Sequence, residues 1–164
     1  MGSSMDPIVR TEWERLYRDA FPRVYRSVLA VHGDADSALE ALHDAFAEGL
    51  RRPPERRENL EGWLYRVAVR MARRRHRWSL VRFNSDPIAL DEIEQAINRM
   101  EATRLLQRLT VRQREIVVAH YYLGLTHAET ATTLGIRPGT VSATIAKALG
   151  RMRDAEHSRE AEQV

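Results

Sequence analysis

The sequence predicts an all-α fold, on three observations. Apolar residues recur at three- and four-residue steps along nearly the whole chain. No segment alternates apolar and polar residues as a half-buried strand does. Glycines and prolines cut the pattern into helix-length pieces, with no internal repeat.

Trp13, Leu16, Tyr17, Ala20, Val24, Val28 and Val31 carry the first apolar stripe. Pro22 interrupts it, which predicts two helices with Pro22 in the first turn of the second. Gly33 ends that stretch, and Asp34 or Asp36 can cap the next helix, whose apolar face is Ala38, Leu42, Ala45, Phe46 and Leu50. Arg51 to Asn59, with Pro53-Pro54, reads as a loop. The following helix buries Leu60, Leu64, Val67, Ala68 and Met71 and places Arg66, Arg70, Arg73, Arg74 and Arg77 on its other side. Trp63, amid the apolar stripe, reads as core. Periodicity fails from Ser79 to Ala89, where Asn84-Ser85-Asp86-Pro87 is turn-like, and this predicts a domain boundary. Beyond it, Ile93, Ile97, Met100, Leu105, Leu106 and Leu109, then Ile116, Val117 and Leu123, predict two more helices.

Composition narrows the function. The chain has no cysteine, which excludes disulfides, thiolate metal sites and cysteine nucleophiles and fits a reducing cytoplasm. No apolar run approaches the roughly 20 residues that span a bilayer, so no membrane insertion is expected. Met1-Gly2-Ser3-Ser4 reads as an expression remnant ahead of a start at Met5, with no secretory signal. No glycine-rich phosphate loop, His-Glu-x-x-His pair or nucleophile triad signature is present, and none of the six histidines has ligand spacing; no cofactor, metal or catalytic residue is expected.

The net charge of +3 hides strong segregation. Residues 1–50 carry −4, 51–82 carry +8, 83–103 carry −4, 104–153 carry +6 and 154–164 carry −3. Two basic blocks split by an acidic one fit two contacts with a polyanion. Arg70 to Trp78 is dense in cations and ends in an aromatic: its arginines suit a phosphate backbone, and Trp78 suits stacking on an unpaired base or packing in the core. Asp36, Glu40, Asp44 and Glu48 recur every four residues. Carboxylates one turn apart can share a cation, but no third ligand converges on them, leaving a solvated face as the plainer reading.

Residues 126–149 fit a helix-turn-helix. Thr126-His127-Ala128-Glu129 is a capping box that starts a short helix ending at Leu134, with His127 at the surface. Gly135 then supplies the positive φ of a tight turn. Pro138 suits the first turn of the second helix, and Arg137 is pushed out of helical geometry. Ala131 permits close approach, with Val141 and Ile145 beneath the crossing. The second helix of such a motif enters the major groove. Its outward residues here are Arg137, Thr140, Ser142, Ala143, Thr144 and Lys147. Ala143 and Thr144 suit a thymine methyl, Ser142 either hydrogen-bonding role, and Arg137, Lys147 and Arg151 phosphate or guanine. A structural helical hairpin is the alternative.

At these residues a family resemblance emerges. Leu109 to Val117, Tyr122-Leu123-Gly124-Leu125-Thr126, Leu134-Gly135-Ile136 and Gly139-Thr140-Val141 resemble the C-terminal domain of the extracytoplasmic-function (ECF) sigma factors. Phe21-Pro22-Arg23-Val24-Tyr25, Asp34-Ala35-Asp36, Asp44-Ala45-Phe46 and Gly62 to Ala68 are similar to that family's N-terminal domain. The resemblance covers about residues 10–153 in order. It implies two small helical domains, an N-terminal helical bundle and a C-terminal helix-turn-helix domain, joined by a flexible linker. The expected divisions are an N-terminal tail at 1–9, domains at 10–79 and 93–153, a linker at 80–92 and an acidic tail at 154–164.

The resemblance further implies a subunit that directs core RNA polymerase to promoter DNA and a partner anti-sigma factor. Arg137, Thr140, Ser142, Ala143, Thr144, Lys147 and Arg151 would read the −35 element. Arg66, Arg70, Arg73, Arg74, Arg77 and Trp78 would meet the −10 element, with the 51–59 loop holding a flipped base. Tyr25, Asp36, Glu40, Asp44 and Glu48 would dock on the polymerase clamp helices. The acidic segment Asp86–Glu94 would serve as linker or mimic nucleic acid in the RNA exit path. The chain departs from the family's usual residues at Val69-Arg70 (Arg-Asn), Ser142 (basic), Thr144 (Arg), Leu39 (acidic) and Thr130 (apolar). These departures mark a diverged member with unusual promoters. A regulator using the helix-turn-helix without polymerase is the alternative function.

Overall fold

Val9, Trp13, Ala20, Val24, Val28 and Val31 lie on one helical stripe whose phase does not change at residue 22. In the computed structural model, which describes residues 7–76 and 101–162, this stripe belongs to a single helix, α1 (Pro7–His32). The two helices expected on either side of Pro22 are therefore one. Proline leaves the Arg18 carbonyl without its intrahelical donor. Both residues face solvent, where water can take that place, while the continuous buried stripe holds the two halves in register.

Gly33 stops α1 at φ +77°, a left-handed conformation that a side chain would resist. Of the two candidate caps it is Asp34 that starts α2 (Ala35–Arg51): its carboxylate accepts the Ser37 N–H at 3.0 Å. α2 buries Ala38, Ala41, Leu42, Ala45, Phe46 and Gly49, whereas Leu50, expected on the apolar face, is exposed. After the loop, Asn59 Oδ1 accepts the Gly62 N–H at 2.8 Å and starts α3 (Leu60–His76). α3 buries Leu60, Leu64, Tyr65, Val67, Ala68, Val69 and Ala72. Met71 is half-buried.

Each of these three helices packs on the other two. Their core is sealed by aromatic edges: Trp13 meets Phe46 (ring centres 6.0 Å) and Trp63 (5.8 Å), and Tyr17 meets Phe46 (5.1 Å). Trp63 is thus packed at the core's margin, and Tyr17, though in the predicted stripe, keeps nearly half its surface in water.

The chain divides into two compact units between Val81 and Arg82. In the second, residues 101–107 are helical (α4). α5 (Val111–Val117) passes into a π turn over Val118–Tyr122, closed by Leu123 N–H donating to the Val118 carbonyl at 3.1 Å. α6 (His127–Leu134) and α7 (Pro138–Glu162) complete the unit, α7 continuing as helix through most of the acidic tail. Ile116, Ala131, Val141 and Ile145 form one apolar cluster; Leu109, Val117 and Ala148 form another, with Leu106 and Met152 against it. All elements among the described residues are helical. The expected linker at 80–92 and the segment Asp86–Glu94 lie outside the described residues.

Candidate nucleic-acid interface

The corner between α6 and α7 is built by three local devices. Thr126 Oγ1 accepts the Glu129 N–H at 3.1 Å while Glu129 Oε2 accepts the Thr126 N–H at 2.8 Å, the reciprocal box that the sequence predicts. The Thr126 backbone N–H, first, and then the Thr126 side chain hold the Glu129 carboxyl below its ordinary pKa. Gly135 sits at φ +65°, ψ +40° and lets the chain reverse; Ile136 N–H then bonds back to the Ala131 carbonyl at 2.9 Å. Pro138 opens α7, and the Arg137 carbonyl accepts the Thr140 and Val141 amides at 2.9 and 3.2 Å. Ala131, nearly fully buried, allows α6 and α7 to cross closely over Val141 and Ile145.

This corner leaves the outer side of α7 open. Arg137, Thr140, Ser142, Ala143, Lys147 and Arg151 are exposed and Thr144 is half-buried. With a period of 3.6, Thr140, Thr144, Lys147 and Arg151 share one flank of α7 and Ser142 lies on the opposite flank, towards α6. Two of these side chains are already engaged. Ser142 Oγ lies 3.0 Å from His127 Nδ1 and donates to the Pro138 carbonyl at 3.4 Å. Arg151 donates to Gln113 Oε1 at 2.9 Å. The positive end of a 25-residue helix and the Arg137 side chain lie together at the α7 N-terminus, an arrangement suited to an anion such as phosphate.

In the first unit, Arg66, Arg70, Arg73 and Arg74 are all exposed. Their spacing places them on one face of α3, opposite Leu64 and Ala68, and the only acid on that helix is Glu61 in its first turn. Glu61 is itself paired across to Arg23 of α1 at 3.4 Å. Arg77 and Trp78 lie outside the described residues. On α2, Asp36 and Glu40 are exposed, and Asp44 and Glu48 are half-buried, Glu48 in an ion pair with Arg51 at 2.6 Å. Tyr25 on α1 is half-buried. Among the described residues no group of three or more His, Cys, Asp or Glu side chains is placed to hold a metal ion.

The structure adds residues that the sequence reading passed over. Thr110 and Gln113 form a second capping box at α5, Gln113 N–H to Thr110 Oγ1 at 3.2 Å and Thr110 N–H to Gln113 Oε1 at 3.0 Å. Its signature, Thr-x-x-Gln before an apolar run, was legible. Glu115, fully buried, pairs with Arg112 at 2.9 Å. The neighbouring Arg114 has its pKa lowered by burial, with the Glu115 charge opposing. Thr130 is fully buried and its hydroxyl has no hydrogen-bond partner.

Residues 99–152 match the sequence family described as Sigma-70, region 4. The ECF RNA polymerase sigma factor SigL of Mycobacterium tuberculosis is 27% identical over 150 residues, covering 84% of this chain and 85% of that protein. SigM of the same species is 29% identical over 150 residues (87% and 76%), and SigE of Mycolicibacterium smegmatis is 28% identical over 176 residues (96% and 67%). Among solved structures, that of CnrH in complex with the cytosolic domain of CnrY superposes with a TM-score of 0.70, covering 91% of this chain and 90% of that one. At 16% identity, this likeness is one of fold.

Proposed function

The chain belongs to the extracytoplasmic-function RNA polymerase sigma factors, and from that premise we propose that it directs core RNA polymerase to promoters by reading two separate DNA elements. The observation that carries the reading is the pairing of two exposed cationic surfaces on different units: the outer side of α7 beyond the Gly135 corner, and the arginine face of α3. In this reading the α7 surface, Arg137, Thr140, Ser142, Ala143, Thr144, Lys147 and Arg151, lies in the major groove of the −35 element. Lys147 and Arg137 neutralise phosphate, Thr144 and Ala143 meet thymine methyls, and Ser142, whose proton goes to the Pro138 carbonyl, offers a base only its remaining lone pair. Arg151 reaches DNA only with the donors that Gln113 does not occupy.

The α3 surface, Arg66, Arg70, Arg73 and Arg74 with Arg77 and Trp78 beyond them, grips the −10 element and favours strand opening by binding single-stranded backbone. Tyr25 with Asp36, Glu40, Asp44 and Glu48 supplies the contact with the polymerase. The protein carries no catalytic group of its own in this account; the chemistry belongs to the polymerase. It works in the cytoplasm, and no helix among the described residues is long and apolar enough to cross a membrane. CnrH is known in complex with the cytosolic domain of CnrY; for this chain the further partner we propose is an anti-sigma factor.

A pull-down with core polymerase followed by run-off transcription on a promoter library tests the reading. Specific transcripts only when chain and core are combined are expected. Specific duplex binding by the chain alone, with no association with core, would instead mark a regulator that acts without polymerase.

A further inference from the structure

We propose that His120 and His127 form a two-histidine site for a borderline divalent transition ion, of the class of Zn²⁺, Ni²⁺ or Cu²⁺, at the junction of the π turn and the helix-turn-helix. The residues stand seven apart in sequence and match no ligand motif, but the turn through Leu123, Gly124 and Leu125 folds them together. Their ring centres are 4.7 Å apart and the rings are tilted by 58°. Two imidazoles sharing one ion, each bonded at about 2.0–2.1 Å with a near-tetrahedral angle between them, have ring centres about 5 Å apart.

The hydrogen bonds set the chemistry of both rings. His120 Nδ1 lies 2.6 Å from the Leu125 carbonyl, which can only accept, so Nδ1 carries the proton and Nε2 the lone pair. Ser142 Oγ, which also reaches the Pro138 carbonyl at 3.4 Å, lies 3.0 Å from His127 Nδ1, and with the Nδ1 proton directed to that oxygen Nε2 is the nitrogen left to bind an ion. An imidazole whose Nδ1–H is held by a protein oxygen, with Nε2 left to bind, is the usual state of a metal-ligating histidine. Imidazole donors suit Zn²⁺, Ni²⁺ and Cu²⁺ rather than Mg²⁺ or Ca²⁺. His127 is exposed and His120 half-buried, so an ion can enter from solvent, and water completes its coordination.

The site lies where it can act on the DNA-reading surface. Leu125, which holds His120, leads into the α6 cap, and Ser142, which holds His127, is on α7. A bound ion therefore ties the π turn to the start of α6 and, through Ser142, to α7. Ion binding itself does not depend on the promoter-reading account, and it is measured without polymerase or DNA.

The test titrates ZnCl₂, NiCl₂ and, as a control, MgCl₂ into the full chain by calorimetry at pH 7.5. His120→Asn and His127→Asn are made because the asparagine amide can keep the bond to Leu125 or Ser142 while removing the ligand nitrogen. The wild type is expected to take one equivalent of Zn²⁺ or Ni²⁺ and no Mg²⁺. Each variant should bind at least about 10-fold more weakly, with unchanged helix content. His43→Ala and His157→Ala should bind as the wild type does. Nitrogen-15 spectra should place the ion at Nε2 of both rings. No transition-ion binding by the wild type, binding that survives both asparagine variants, or binding lost in His43→Ala would overturn the proposal.

Discussion

Arg151 of α7 is bound to Gln113 of α5 at 2.9 Å, through the same side-chain oxygen that accepts the Thr110 N–H at 3.0 Å. One amide thus closes the α5 capping box and anchors the middle of α7. Gln113→Ala removes both bonds and should cost about 1–2 kcal/mol in urea unfolding, a cap and a charge-assisted hydrogen bond together. Gln113→Glu keeps an acceptor for both partners and should stay within about 0.5 kcal/mol of the wild type. Equal losses in the two variants would show that the shared oxygen is not what holds α5 and α7.

Gly49 packs against the Trp13 indole so closely that a Cβ there would stand 2.7 Å from Cζ2 and Cζ3. Trp13 is itself clamped by Phe46 and Trp63, so the ring has little room to retreat. Gly49→Ala should destabilise the first unit by about 1–3 kcal/mol, an overpacking cost that exceeds alanine's gain in helix propensity. Thermal unfolding followed by tryptophan fluorescence checks this, and a stability equal to or above the wild type's would refute it.

Thr130 brings a hydroxyl into the core of the second unit and gives it no partner. Thr130→Val keeps the shape and removes the stranded group, so it should stabilise the protein by about 1 kcal/mol. A loss of stability in chemical denaturation would mean that the hydroxyl is satisfied in solution.

The Glu129 carboxyl is held below its ordinary pKa by its bonds with Thr126. A depressed folded-state pKa means a contribution that is complete above the unfolded-state value and lost as pH falls through the folded one. Amide-exchange protection at the start of α6 should therefore be constant at neutral pH and decline only on acidification below the usual glutamate range. Glu129→Gln, which retains the acceptor without the charge, should flatten that decline; an unchanged acid profile in this variant would place the titration elsewhere.

Much of this architecture could be read from the residues that punctuate it. Gly33, Asp34, the Thr126–Glu129 box, Gly135 and Pro138 act through local backbone chemistry, and each does in the structure what its residue type demands. Pro22 does not divide α1, although its residue type predicts a break, because its local penalty is outweighed by a stripe of buried residues on both sides, a tertiary effect. Leu50, one turn beyond Phe46, falls at the far edge of the buried stripe of α2, where the residue type suggests burial but the helical phase does not. Of the proposed DNA surfaces, the exposure of the α7 and α3 cations followed from their spacing. The engagement of Ser142 by His127 and of Arg151 by Gln113 depends on contacts 15 and 38 residues apart, which no local pattern encodes.

We propose that two cationic surfaces on separate units grip promoter DNA in different ways. The salt dependence of promoter binding by the reconstituted polymerase holoenzyme separates their roles. Arg73→Ala and Arg74→Ala should each weaken binding on all promoters and reduce the slope of log K against log salt by up to about one per lost phosphate contact. Thr144→Ala should leave the slope unchanged and alter which −35 sequences are preferred. If all three variants changed slope and sequence preference alike, or none changed either, the two-surface account would be wrong.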